Sequence, residues 1–293
     1  MVMKCYPSPL LIALASLACS PLGHATVLIA DFNDIAAGAI QTKGGGTGFS
    51  GTWSGSANPS VIAGDLTSSL YNRPQSGTAQ LLRGGTSGIR QVFRPVSTSP
   101  TGEVWFSFLT RVQETNTNLS FESAGISLNP SSTATPFSDR GDFYVVHTGD
   151  TIEYSFGATT AGVVTGLTGG VAGSLSTEYS GLFVGRLVIN GGGAADTVSV
   201  WYNPDLTANP DINSYVPFYT NSTVNTLDSI SLLGAAVYQA GGQDGALLDN
   251  ILFSDGGGNP DQAYFDVTGV PEPTSGALLG LAAAVALSGR RRR

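Results

Sequence analysis

The side chains in this sequence that could do chemistry are mainly carboxylates. Asp31 and Asp34 follow an early apolar run, Val27 to Ala30, and Asp249-Asn250 interrupt a late one, Leu247 to Phe253. Carboxylate and amide oxygens are hard ligands, and Ca²⁺ gathers about six to eight of them. If the first and last strands pair, Asp31, Asp34, Asp249 and Asn250 could converge, and calcium is the ion that such a set would suit. Asp249 shares a strand face with Leu247, so its carboxylate is expected to point inward and to need a partner. The competing reading is that these acids cap turns and strand ends through local hydrogen bonds. The stretch Asp255-Gly-Gly-Gly-Asn-Pro-Asp261 lacks the spacing of an EF-hand loop and reads as a linker turn.

Other chemistries are excluded by what is missing. Both cysteines, Cys5 and Cys19, lie near the start, and His147 is the single histidine between residues 26 and 270. That stretch can hold no disulfide, thiolate metal site, cysteine nucleophile or multi-histidine metal centre. A glycosidase needs two carboxylates about 5–9 Å apart, and on one strand positions i and i+2 supply them. Glu103, Glu114, Glu122, Glu153 and Glu178 each lack an acidic neighbour two positions away, and Asp139 and Asp142 flank a turn. His147 ends an alternating strand, Phe143-Val145-His147, and Gly173-Ser-Leu-Ser176 lacks the closing glycine of a nucleophile elbow. No catalytic residue is assigned, and the chain is not expected to be an enzyme. Sugar binding would need exposed aromatics. Trp53, Tyr71, Trp105, Trp201, Tyr202 and Tyr219 are the candidates, with core packing as the competing role.

Charge sharpens this. The whole chain of 293 residues has 13 basic and 21 acidic residues, a net −8. Residues 26–270 alone carry 8 basic and 20 acidic residues, a net −12. No basic footprint for nucleic acid is present.

The elements that must position these groups read as strands. Alternation runs through 104–112, 151–156, 182–189 and 197–202. Further strands are expected near 26–32, 60–63, 78–83, 88–94, 119–128, 142–147, 228–233 and 246–253. Turn clusters such as Gly84-Gly85, Asn190-Gly-Gly-Gly193 and Gly241-Gly242 separate them. No helical stripe stands out between 26 and 270. The expected fold class is all-β, a two-sheet antiparallel sandwich.

The two ends read as addresses. Lys4, an apolar run from Leu10 to Ala18 and Gly23-His24-Ala25 form a secretory signal, with cleavage expected after Ala25. Cleavage before Cys19, as in a lipoprotein, is the lesser alternative. At the other end Val270-Pro271-Glu272-Pro273 leads into an apolar stretch from Gly276 to Gly289 and then Arg290, Arg291, Arg292 and Arg293. The prolines present an extended strip, the apolar stretch favours a membrane helix, and the arginines stop transfer. At about 14 residues the apolar stretch is short of the ~20 that span a bilayer, so it would recruit 270–275, thin the bilayer or snorkel its arginines.

Proline-Glu-Pro, a short apolar helix and a terminal arginine cluster resemble the PEP-CTERM sorting signal. That resemblance covers 270–293 and implies a bacterial cell-surface or extracellular-matrix protein, processed by an exosortase and associated with exopolysaccharide and biofilm. It implies transient anchoring in the inner membrane. A second resemblance rests on Asp31-Phe32-Asn33 in the first strand and Leu248-Asp249-Asn250-Ile251 in the last. These are similar to concanavalin A-like, LamG-type jelly rolls and imply that the two strands pair. The organisation expected is a signal peptide at 1–25, a sandwich at 26–254, a Gly/Asp linker at 255–269 and a sorting signal at 270–293. The function expected is a non-enzymatic structural or adhesive surface module. The alternatives are a lectin-like carbohydrate-binding domain and, less favoured, a glycoside hydrolase.

Overall fold

A computed structural model describes residues 25–70, 80–83, 88–113, 122–129, 142–148, 151–157, 166–167, 178–192, 194–207, 212–217, 219–224, 229–239 and 247–270. Residues 1–24 of the expected signal peptide at 1–25, and the expected sorting signal from residue 271 on, lie outside them. Among the described residues no helix is long and apolar enough to cross a membrane.

The described strands run in chain order as β1 (Val27–Ala30), β2 (Gly38–Ala39), β3 (Ser54–Gly55), β4 (Pro59–Ile62), β5 (Gln80–Arg83), β6 (Gly88–Pro95), β7 (Glu103–Gln113) and β8 (Glu122–Asn129). They continue as β9 (Asp142–Thr148), β10 (Thr151–Gly157), β11 (Gly166–Leu167), β12 (Glu178–Val188), β13 (Asp196–Tyr202), β14 (Tyr219–Val224), β15 (Leu232–Gln239) and β16 (Leu247–Ser254). One helix, α1 (Pro260–Thr268), follows. The strands form two antiparallel sheets. One has the order β14-β13-β12-β7-β16-β5-β4-β2, with β1 also on β16; the other is β11-β10-β9-β8-β15-β6-β3.

Between the sheets lies an aromatic and aliphatic core. Phe108 stacks on Phe183 at 4.8 Å and Phe106 on Phe253 at 5.4 Å, with Ile126, Leu128 and Leu233 from the other sheet. Strand alternation sends the intervening residues to the opposite face. There Trp105, Leu109, Leu182, Val184 and Trp201 form a second buried layer, roofed by Ala263, Tyr264 and Val267 of α1 with Leu66, Leu206 and Ile212. The central strands are therefore apolar on both faces. Gly185 makes one crossing possible: a methyl group there would overlap the Phe106 ring.

Residues 255–269, expected as a linker, instead hold a capped helix. Asn259 accepts the Asp261 N–H at 3.1 Å, Pro260 opens the first turn, and Gly269 at φ 72° returns its N–H to Phe265 O. Nine residues are too few for the apolar periodicity to register, but the caps were legible. The helix is fastened to the sheet. Ser107 Oγ donates to Val267 O at 2.7 Å, and Ser254 Oγ donates to Asp266 at 2.6 Å.

Candidate functional site

The first and last strands do pair. β1 runs antiparallel to β16 in the register Val27↔Ser254 through Ala30↔Ile251. Asp255 locks the junction: its Oδ1 accepts the Thr26 N–H at 2.8 Å and the Gly257 N–H at 3.0 Å.

Each of the three carboxylates expected to ligate calcium accepts a backbone hydrogen bond of its own. Asp31 accepts the N–H of Asn33 at 3.3 Å, within its own turn. Asp34 accepts the N–H of Gly46 at 2.8 Å and faces the charge of Arg94. The Arg94 guanidinium itself donates to the carbonyls of Gly45 and Gly51 and lies 5.0 Å over the Phe49 ring. Burial pulls its pKa down, and Asp34 opposes that shift. Among the described residues, no three His, Cys, Asp or Glu side chains group to hold a metal ion.

Asp249 is the unusual group. It lies on the outer face of β16, as its spacing from Leu247 predicts, and is fully buried. Oδ2 accepts the Leu66 N–H at 3.1 Å and Oδ1 accepts the Asn250 N–H at 2.8 Å. Asn250 has φ 49°, at an irregularity between Asp249 and Leu252 where β16 slips register against β7. The carboxyl of Asp65 sits within hydrogen-bond reach of Asp249. Asp65 Oδ1 is itself buried, without another hydrogen-bond partner among the described residues. Burial pushes the Asp249 pKa up to about 8, held back by the two N–H donors and pushed further by the hydrogen bond and charge of Asp65. Near neutrality this pair holds a proton, so a cation here would have to displace it. Asp65 was missed from sequence. It sits in a loop between β4 and β5 and reaches Asp249 by packing, which no spacing encodes.

The aromatic candidates are mostly structural. Trp53, Trp105 and Trp201 are all buried, and Tyr202 packs partly against the inner core. Trp105 stacks on Trp201 at 5.7 Å and meets Tyr264 of α1 edge-on at 5.1 Å. Their indole N–H groups are used: Trp105 donates to Glu103 and Trp201 to Tyr215 O. Tyr71 and the side chain of Tyr219 lie outside the described residues. Of the acids considered for catalysis, Glu103 bridges Trp105 and Arg186, the latter at 2.6 Å. His147 pairs across the backbone with Glu122 and Ile152. Glu114 and Asp139 lie outside the described residues.

No family model matches this chain, and no curated protein sequence matches it. Solved structures do. The globular domain of T. cruzi calreticulin is similar over 77% of this chain and 86% of its own, at 10% identity and a TM-score of 0.42. A carbohydrate esterase of the Shiga toxin-encoding bacteriophage phi24B is similar over 75% of this chain and 99% of its own, at 10% identity and TM-score 0.44. The Emp47p carbohydrate recognition domain is similar over 78% and 94%, at 7% identity and TM-score 0.42.

Proposed function

We propose that this chain is an exported β-sandwich that is sorted to the bacterial cell surface, where it serves as a non-enzymatic structural or adhesive module of an exopolysaccharide-rich matrix. One observation carries the reading. The folded body is fastened as far as Val270, and the Pro271-Glu272-Pro273 strip follows with no spacer. Val270 is buried in the outer layer, and its N–H donates to Thr268 Oγ1 at 3.1 Å. Described, buried packing thus reaches the residue immediately before Pro271, where the expected sorting motif starts in sequence. The engaged Glu103, Asp34 and Asp255 support a structural role for those carboxylates.

Intact-mass measurement of the protein from its native host tests the sorting step. The expected product ends near residue 270; a surface protein retaining Arg293 refutes it. A glycan array with the processed body tests the adhesive step. Retention of acidic or neutral polysaccharide is expected, at the weak affinity of a matrix component. Tight binding of one defined oligosaccharide would favour the lectin reading instead, and hydrolysis of an arrayed glycan would favour the hydrolase.

A further inference from the structure

The seam between β1 and β16 ends on one carboxylate. Past the last register pair, Val27↔Ser254, the two chains stay bonded through Thr26 and Asp255. The Thr26 N–H donates to Asp255 Oδ1 at 2.8 Å, and the Asp255 N–H donates to Thr26 O at 3.3 Å. Asp255 is 7% exposed and takes a second N–H, from Gly257, on the same oxygen at 3.0 Å. Both donors are neutral amides. A carboxylate this far from water is ordinarily matched by a cation. Among the described residues no basic side chain reaches Asp255. One of the two nitrogens that do reach it belongs to the residue at which the mature chain is expected to begin, since signal cleavage is expected between Ala25 and Thr26.

We propose that this cleavage turns the Thr26–Asp255 hydrogen bond into an ion pair, with the mature α-ammonium as the counter-charge that Asp255 otherwise lacks. The inference rests on the export reading above. Hydrolysis adds one water across the Ala25–Thr26 peptide bond. The water oxygen goes to the Ala25 carbonyl carbon, which leaves as a carboxylate, and both water hydrogens go to the Thr26 nitrogen. That nitrogen already lies 2.8 Å from Asp255 Oδ1, so a neutral donor becomes a charged one without a change of place. Charge-assisted hydrogen bonds are roughly twice as strong as neutral ones. The seam between the first and last strands is therefore fastened by charge only in the processed chain. A chain begun one residue earlier carries its ammonium about 3.8 Å further along and keeps an amide at Thr26.

Two chains test this, one running from Thr26 to Arg293 and one from Ala25 to Arg293, each in detergent micelles and each freed from a fusion leader that leaves no residue behind. They carry the same total charge and differ in where the α-amine stands. Cyanate carbamylates a neutral amine, and mass spectrometry of the N-terminal peptide follows the rate, taken relative to the same chain in concentrated guanidinium chloride. An ammonium held by a carboxylate gives up its proton less readily, so carbamylation about fivefold or more slower is expected in the chain begun at Thr26. Asp255→Asn, in chains that keep their β-sheet circular dichroism, should raise that rate to the level of the chain begun at Ala25. Equal relative rates in the two unsubstituted chains overturn the ion pair and leave the export reading standing, whether or not the variant folds. A slow rate that survives Asp255→Asn also overturns it, because burial alone then protects the amine. N-terminal sequencing of the protein from its native host tests the premise separately. A first residue other than Thr26 overturns the cleavage reading, and the ion pair with it.

Discussion

The carboxylate of Asp249 accepts the backbone N–H of Leu66 at 3.1 Å, across 183 positions of sequence. This bond ties the loop between β4 and β5 to the strand at the centre of the sheet. It is made by an acid that also faces Asp65, and the pair carries a pH dependence whose sign follows from linkage.

Asp249 has a folded pKa near 8, against an ordinary value of 3.8. Between about pH 4 and 8 the folded state keeps the proton and the unfolded state releases it. Stability from this group is therefore greatest at the acid end and falls as pH rises through that window. The slope is at most about 1.4 kcal/mol per pH unit. Chemical denaturation from pH 4 to 9 should show the decline and a levelling above pH 8. A flat profile, or a rise, contradicts it.

Asp65→Asn replaces the like charge with an amide donor to Asp249. The cause that pushes the Asp249 pKa beyond its burial is removed. Burial still holds the Asp249 pKa up, so the decline should persist but level off at a lower pH, and stability at pH 8 should rise. Asp249→Ala strands the N–H groups of Leu66 and Asn250 in a buried site. It should cost about 2–4 kcal/mol at pH 5.

Gly185→Ala places a methyl against the Phe106 ring, which is stacked on Phe108 and Phe253 and has little room to move. A loss of about 2–3 kcal/mol is expected in urea unfolding. A neutral outcome would mean that the inner core repacks more readily than its stacked rings imply.

Helix α1 can be loosened without touching the sandwich interior. Asn259→Ala removes the N-cap and should cost about 1 kcal/mol. In hydrogen exchange, the amides of Ala263 to Val267 should lose protection before those of β7 and β12 do. Uniform loss across all three would show that the helix and the sheet open as one unit.

Trp53 tests an unsatisfied donor. Its ring is buried at 6.0 Å from both Phe32 and Phe49, and its indole N–H lacks a hydrogen-bond partner among the described residues. Trp53→Phe removes that donor along with some volume, so a loss below about 1.5 kcal/mol is expected in thermal unfolding, against ~3–5 kcal/mol for Trp53→Ala.

Much of the fold was legible because alternation survives in the central strands. The expected 104–112, 151–156 and 197–202 fall within β7, β10 and β13, and the pairing of the chain ends was anticipated from Asp31-Phe32-Asn33 and Leu248-Asp249-Asn250. The strand expected at 228–233 instead starts at Leu232; before it, the Ile230 N–H donates to Ser99 Oγ rather than to a strand neighbour. The short strands β2, β3 and β11 are two residues each, below the length at which a period can be seen. At the site, the face that Asp249 shares with Leu247 followed from their spacing, although that face is the outer one, buried under the α1 layer. Its partners did not: Asp65 and Leu66 come from a loop whose position depends on the whole outer layer. The buried tryptophans show the same limit, since alternation reveals two faces but not that a helix covers the second.

The strand that completes the sheet is synthesised late. β16 sits between β7 and β5 and also receives β1, and the Thr26–Asp255 bond spans 229 positions. A nucleus built on β7 and β12 can form early from nearer contacts, but it stays open down its middle until residues beyond 247 have emerged. Such a topology folds slowly and does not close behind a growing chain. That delay keeps the sandwich from setting before its last strand has been made.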